Sequence, residues 1–189
     1  DDVNIDILYC GVCHSDIHMA RNEWNNTSIY PMVPGHEIIG VVKEVGSEVT
    51  KFKVGENVGV GVYVDACEKC ENCNTGKDHY CEEGIVLTYN SYEYGTKNIT
   101  YGGYSKSIVV KENYVIRIPS GMDMAKAAPL LCAGITTYSP LRHFKINSNH
   151  KVGIAGLGGL GHMGLKFASS FGADVVVFST SDSKKEEAF

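Results

Sequence analysis

The sequence has no basic tract. Its 17 Lys and Arg residues face 22 Asp and Glu, for a net charge of −5. Phosphate backbones are held by clustered Lys and Arg, so nucleic acid is not an expected partner. No apolar run is long enough to cross a bilayer, and no membrane role is expected. Internal repeats and low-complexity segments are lacking too. There is no initiator Met and no basic-then-apolar leader. The chain opens inside a strand-like alternation, with Val3, Ile5, Ile7 and Tyr9 on one side and Asn4, Asp6 and Leu8 on the other. A true N-terminus seldom begins mid-strand. The expectation is a sequence cut at its start, in which a targeting peptide is neither visible nor excluded.

What the 189 residues do contain is 43% hydrophobic residues, 21 glycines and seven cysteines. This is enough for one large or two small globular domains. The glycines mark strands, turns and close backbone approaches. Seven is an odd count for a disulfide framework, and four of the cysteines fall between positions 67 and 81. Such clustering suits metal binding by reduced thiols in a cytoplasmic enzyme.

Two regimes divide the chain. Up to about Pro119 the patterns are short and strand-like: Ile38–Val45, Asn57–Val64, Ser105–Val110 and Tyr114–Ile118, with Gly46, Gly55 and Gly84 at corners. They predict an irregular, mostly antiparallel β domain. Beyond Pro119, Met124–Leu131 is helix-prone. Lys151–Ala155 then reads as a strand and Gly156–Gly161 as a glycine-rich turn. An apolar stripe at Leu160, Met163, Gly164, Phe167, Ala168 and Phe171 follows, with the offsets of one helix face. Asp174–Thr180 is a second strand and Ser183–Phe189 the start of another helix. This is a βαβ unit. A doubly wound sheet needs more strands, so the C-terminus is expected to be cut as well.

Cys67-x2-Cys70-x2-Cys73-x7-Cys81 places four thiolates on one short loop, where they can close a tetrahedron around zinc at ~2.3 Å each. A site with four protein ligands has no open position, so it would fold the loop and not catalyse. An iron–sulfur cluster is the rival. The bacterial ferredoxin run has three residues before its last cysteine and a proline after it, whereas here the gap is seven and Glu82 follows.

Gly156-x-Gly158-Gly159-x-Gly161, with Leu160 inside it, follows a strand and opens an amphipathic helix. In that context a glycine loop brings backbone N–H groups and a helix N-terminus to a dinucleotide pyrophosphate. The plainer reading is a strand-to-helix turn without ligand.

Three further tracts resemble the catalytic motifs of zinc-dependent medium-chain alcohol dehydrogenases. They are Cys10-Gly-Val-Cys13-His-Ser15-Asp16-Ile-His18, Pro31-Met-Val-Pro-Gly-His36-Glu37 and Leu131-Cys132-Ala-Gly-Ile-Thr136. With the four-cysteine lobe and the glycine loop they follow that family's order across essentially the whole chain. The tracts Cys132–Leu141 and Phe178–Ser181 look closest to its cinnamyl-alcohol-dehydrogenase branch.

The resemblance implies two domains. The first is a GroES-like antiparallel β catalytic domain over 1–132, and the second is the truncated first βαβ of a Rossmann domain over 133–189. It implies Cys13, His36 and Cys132 as catalytic zinc ligands, Glu37 as an interchangeable fourth, and Asp16 as the partner that orients the imidazole. Zinc would act as a Lewis acid on a small alcohol or aldehyde while hydride passes to or from a nicotinamide. Protons would leave through Ser15 and His18, with Thr136 near the nicotinamide. Without the resemblance, Ser15 reads first as a helix N-cap before Asp16–Arg21. Trp24 lines a pocket or belongs to the core, Cys10 is core, and His79, His143, His150 and His162 are surface or structural.

In register with the family, the end of the second strand is Thr180, flanked by Ser179 and Ser181, with Lys184 nearby. Hydroxyls and a cation there suit a 2′-phosphate, so NADP(H) is expected over NAD. Asp182 argues the other way. Two zinc ions per chain and a homodimeric full-length protein complete the expectation. The alternatives are an inactive zinc-binding fragment or a zinc-free quinone or enoyl reductase on the same fold.

Overall fold

The computed structural model of the chain describes residues 1–186; residues 187–189 and the Asp182 side chain lie outside the description. The chain divides into two compact units, Asp1–Cys132 and Ala133–Phe189.

The first unit is built on a five-stranded antiparallel sheet, with β1 (Asp2–Cys10), β2 (Ile38–Val45), β3 (Asn57–Val60), β6 (Ser107–Lys111) and β7 (Val115–Arg117). The spatial order is β6-β1-β2-β3-β7. A separate two-stranded ribbon pairs β4 (Tyr63–Asp65) with β5 (Val86–Leu87). Inward-facing Val3, Ile5, Ile38, Val42, Val58 and Val60 are essentially solvent-free and form the core with Val110 and Val115. Burying each such side chain stabilises the fold by roughly 1.5–3 kcal/mol. A second cluster puts Ile39 against Ile118, Ala127, Ala128 and Leu131.

Several sequence expectations are corrected here. The alternation of β1 does not run to its end. Register shifts after Asn4 and Ile7 turn Tyr9 outward, 47% exposed, while Cys10 packs on the core. The strand expected over Asn57–Val64 leaves its sheet at Gly61 and resumes as β4 in the ribbon. The helix expected over Met124–Leu131 is a single turn, α3 (Met124–Ala127), capped by the Asp123 carboxylate, followed by a 3₁₀ turn, Ala128–Leu131. Pro129, which lacks an N–H, sits at the start of that turn.

Helix α1 (His14–Ala20) begins at Cys13, whose N–H donates to Asp16 at 3.0 Å; Ser15 lies inside the helix and is not its cap. The lobe carries α2 (Glu71–Asn74) and a 3₁₀ turn, Asp78–Tyr80.

The second unit comprises α4 (Ala133–His143), β8 (Lys151–Ala155), α5 (Gly159–Ser170) and β9 (Asp174–Phe178). The two strands pair in parallel, as a βαβ crossover requires. Gly164 and Ala168 of α5 are buried, with Gly164 close to Ile154 and Thr137. The second strand ends at Phe178, two residues before the expected Thr180. The helix expected over Ser183–Phe189 shows only a 3₁₀ turn, Asp182–Lys184, among the described residues.

Candidate metal centre and dinucleotide loop

Four side chains from three segments converge within the first unit. Cys13 precedes α1, His36 and Glu37 lie just before β2, and Cys132 ends the segment after α3. Ligand atoms of all four lie within 4.8 Å of one another. The Cys13 and Cys132 sulfurs, 119 residues apart in sequence, are 3.9 Å apart. Sulfurs at ~2.3 Å from a tetrahedral zinc stand about 3.8 Å from each other, whereas a disulfide needs ~2.05 Å. Donor set and spacing both fit a zinc ion.

Asp16 organises this centre. Its Oδ1 accepts from His36 Nδ1 and from the Gly35 N–H, each at 3.0 Å, and its Oδ2 accepts from the Cys13 N–H. The imidazole therefore keeps its Nδ1 proton on Asp16 and leaves Nε2 as the donor atom. Burial opposes the Asp16 charge, yet these hydrogen bonds and the His36 cation hold its carboxyl down to about 2. Burial likewise opposes a charged His36, but Asp16 and the Cys132 sulfur push it up to about 10. A metal ion held by Nε2 would displace the proton on that nitrogen and leave the Nδ1 proton on Asp16. The Cys13 thiol is lowered: burial works against it, and Ser15, the His36 charge and Cys132 prevail. Burial raises Glu37, which packs so closely on Gly11 that a Cβ there would lie 1.9 Å from its Oε2.

The Ser15 hydroxyl is 3.5 Å from the Cys13 sulfur. His18, one turn along α1, holds Glu23 Oε2 at 2.6 Å through Nδ1 and stacks on Trp24 at 5.4 Å between centroids. Trp24 is 43% exposed, so the core reading of this residue is corrected.

In the lobe, ligand atoms of Cys67, Cys70, Cys73 and Cys81 lie within the same 4.8 Å limit, and the Cys67 and Cys73 sulfurs are 3.8 Å apart. The N–H of Cys67 donates to the Cys81 sulfur at 3.4 Å, and the N–H of Cys70 to the Cys67 sulfur at 3.3 Å. Such N–H···S contacts favour thiolates. Cys10 takes no part in either cluster, and burial pushes its thiol up to about 11.

In the second unit the glycine loop brings the start of α5 close against the end of β8. Gly156 has φ +85°, and a Cβ on Gly161 would sit 1.9 Å from the Gly156 carbonyl, so only glycine permits α5 to start this close to β8. A Cβ on Gly158 or Gly159 would meet nothing and would point into open space beside the free N–H groups of α5. Thr136 and Leu160 border a hollow of about 370 Å³ with Val152, Ile154 and Gly164. After β9, Ser179 Oγ accepts from the Ser181 N–H at 3.1 Å, and the Ser181 and Ser183 hydroxyls are 2.7 Å apart. Thr180 is exposed between them, and Lys184 ends the following turn.

Two aromatic residues beside the candidate metal centre carry no motif of their own. The Tyr104 hydroxyl donates to Asp16 Oδ2 at 3.0 Å, and the Tyr89 ring lies 6.0 Å from the His36 ring. Both are remote in sequence from the metal-ligand motifs. Only the glycine pair before Tyr104 hints at a close backbone approach.

Comparison with known proteins adds independent findings. Residues 1–120 match the alcohol dehydrogenase GroES-like domain. A probable formaldehyde dehydrogenase of Bacillus subtilis is 56% identical over 187 residues, covering 99% of this chain and 53% of the relative. A cinnamyl alcohol dehydrogenase structure from Sorghum bicolor superposes with a TM-score of 0.95 at 48% identity, covering 99% of this chain and 53% of that one. The corresponding enzyme of Helicobacter pylori, complexed with NADP(H), gives 0.93 at 50% identity, with 99% and 54% covered. The chain thus spans about half the length of the relatives it matches.

Proposed function

From the premise that this chain belongs to the alcohol dehydrogenase family with a GroES-like domain, we propose that it is the metal-binding part and the first nucleotide-binding segment of a zinc-dependent oxidoreductase. The reaction is reversible hydride transfer between a primary alcohol or aldehyde and NADP(H). The observation that carries this reading is the convergence of Cys13, His36, Glu37 and Cys132 around one point. Two thiolates and a neutral imidazole would hold Zn²⁺ and leave room for a fourth ligand, for which Glu37 competes. When bound, zinc supplies Lewis acidity toward the substrate oxygen.

The chain's own groups do the rest. Asp16 keeps the His36 ring oriented. Ser15, beside the Cys13 sulfur, can accept a substrate proton and pass it on, because a hydroxyl both donates and accepts. The His18 imidazole offers the next ring nitrogen along that path, and Glu23 Oε2 fixes its ring through Nδ1 at 2.6 Å. Gly156, Gly158, Gly159 and Gly161 would cradle the pyrophosphate, and Thr136 would face the nicotinamide. Ser179, Thr180, Ser181 and Lys184 would receive the 2′-phosphate. In the lobe, Cys67, Cys70, Cys73 and Cys81 would hold a second zinc that folds the loop.

Similar proteins carry the names of different substrates, formaldehyde for one and cinnamyl alcohol for another, so the metal ligands by themselves do not name the substrate. The test is a turnover screen over aromatic allylic and aliphatic aldehydes with NADPH and NADH, using a protein of the relatives' full length. The expected result is Cys132-dependent reduction with higher kcat/KM for NADPH. Turnover that survives Cys132→Ser and metal removal would overturn the proposal.

A further inference from the structure

The segment that carries Tyr104 is fastened to the segment that carries His36. The N–H of Gly102 donates to the Val33 carbonyl at 2.7 Å, that of Gly103 to Gly35 at 2.8 Å, and that of Tyr104 to Pro34 at 3.0 Å. No side chain fits between them. A Cβ on Gly102 would lie 2.3 Å from the Gly35 carbonyl, and one on Gly103 would lie 2.4 Å from Ile38 Cγ1. This clamp delivers the Tyr104 hydroxyl to Asp16 Oδ2 at 3.0 Å, with the Gly11 carbonyl a second acceptor at 3.2 Å. A phenol has one proton to give, and the carboxylate is the stronger acceptor.

Asp16 then receives four donors: the Cys13 and Gly35 N–H groups, His36 Nδ1 and Tyr104. Two are backbone N–H groups, one of Cys13 itself and one of Gly35 next to His36, and one belongs to the His36 ring. Each carboxylate oxygen takes two. Without Tyr104, Oδ2 would lose its 3.0 Å phenol donor, and the Cys13 N–H, with the Tyr89 hydroxyl nearby, would hold the carboxylate less firmly against His36.

We propose that Tyr104 is a positioning residue for the metal centre, acting through Asp16 to fix the orientation of the His36 imidazole. This rests on the reading of Cys13, His36 and Cys132 as metal ligands. Tyr104→Phe removes the hydroxyl and keeps the ring.

The experiment is a Co²⁺ titration of the full chain, read by thiolate-to-cobalt and d–d absorption. Cys132→Ser identifies the bands of the mixed sulfur–nitrogen site. Tyr104→Phe is expected to weaken Co²⁺ binding at that site about tenfold, the lower end of the range for partners behind metal ligands. The lobe bands should keep their intensity and affinity. In an Asp16→Asn background, Tyr104→Phe should cause no additional loss. Unchanged affinity in Tyr104→Phe, additive losses in the double variant, or equal weakening of both sites would overturn the inference. If the parent chain shows no Cys132-dependent cobalt band, the metal reading itself fails and the inference falls with it.

Discussion

Asp16 and Glu112 are both buried carboxylates, and each joins segments that are distant in sequence. Glu112 accepts from the backbone N–H groups of Lys51 at 2.8 Å and Thr50 at 2.9 Å. The Lys51 hydrogen bond first, then that of Thr50 and the Lys51 charge, hold its carboxyl below the usual range against the effect of burial. A folded-state value below the unfolded one adds stability that is fully present above the ordinary carboxyl pKa. That stability is lost as pH falls through the lowered value. Glu112→Gln should therefore melt at a lower temperature than the parent at pH 7, with the gap closing on acidification below pH ~4. Thermal unfolding at several pH values checks this; a gap that widens in acid would contradict it. Thr180 carries the cofactor claim at the same scale. In a protein of the relatives' full length, Thr180→Asp should move the kcat/KM preference from NADPH toward NADH, since a carboxylate repels a 2′-phosphate and binds a ribose 2′-hydroxyl. An undiminished NADPH preference would place the phosphate elsewhere.

At the scale of elements, the glycine loop separates two roles by substitution. Gly161→Ala forces a methyl group against the Gly156 carbonyl and should destabilise the βαβ unit as well as weaken nucleotide binding. At Gly158 the backbone has φ −99°, which any residue adopts, and the added methyl meets no protein atom. Gly158→Ala should therefore keep the melting temperature and lose NADPH affinity by tenfold or more, because the methyl occupies the pyrophosphate's space. Calorimetric titration of a protein of the relatives' full length with NADPH decides; unchanged affinity would mean that the loop does not hold the phosphates.

Much of the secondary structure was legible because its signal is local. The βαβ unit announces itself by an apolar strand, a glycine turn and a helical stripe in about thirty residues. What escaped was set by tertiary context. The shifts of register in β1 come from its pairing with β2, and nothing in the alternation of its residues foretells them. The break at Gly61 reads as continuous strand because valine flanks it on both sides. The four-cysteine spacing identifies its cluster unaided, since all four thiols share one loop. The set Cys13, His36 and Cys132 has no local spacing and became visible only through resemblance to a family. Tyr104 had neither signal: it meets Asp16 from 88 residues away.

For the whole molecule, the second unit matters most. Its two-stranded parallel sheet leaves Val176 37% and Phe178 63% exposed, on a face that parallel sheets normally bury. No helix among the described residues is long and apolar enough to cross a membrane. We predict that the 189-residue chain by itself folds its β unit and takes up metal, but binds NADPH weakly and shows no measurable turnover. Robust aldehyde reduction by the purified chain would contradict this.

We propose that the chain holds two zinc ions with separate duties, one in the lobe for folding and one at Cys13, His36 and Cys132 for chemistry. Elemental analysis of the parent and two variants tests it most directly, read together with melting temperature. The parent should carry about two zinc ions per chain. Cys132→Ser should carry about one with the melting temperature largely kept. Cys73→Ser should also carry about one but melt well below the parent. A Cys132→Ser protein that retains both ions, or a Cys73→Ser protein that retains both with undiminished stability, would contradict the account.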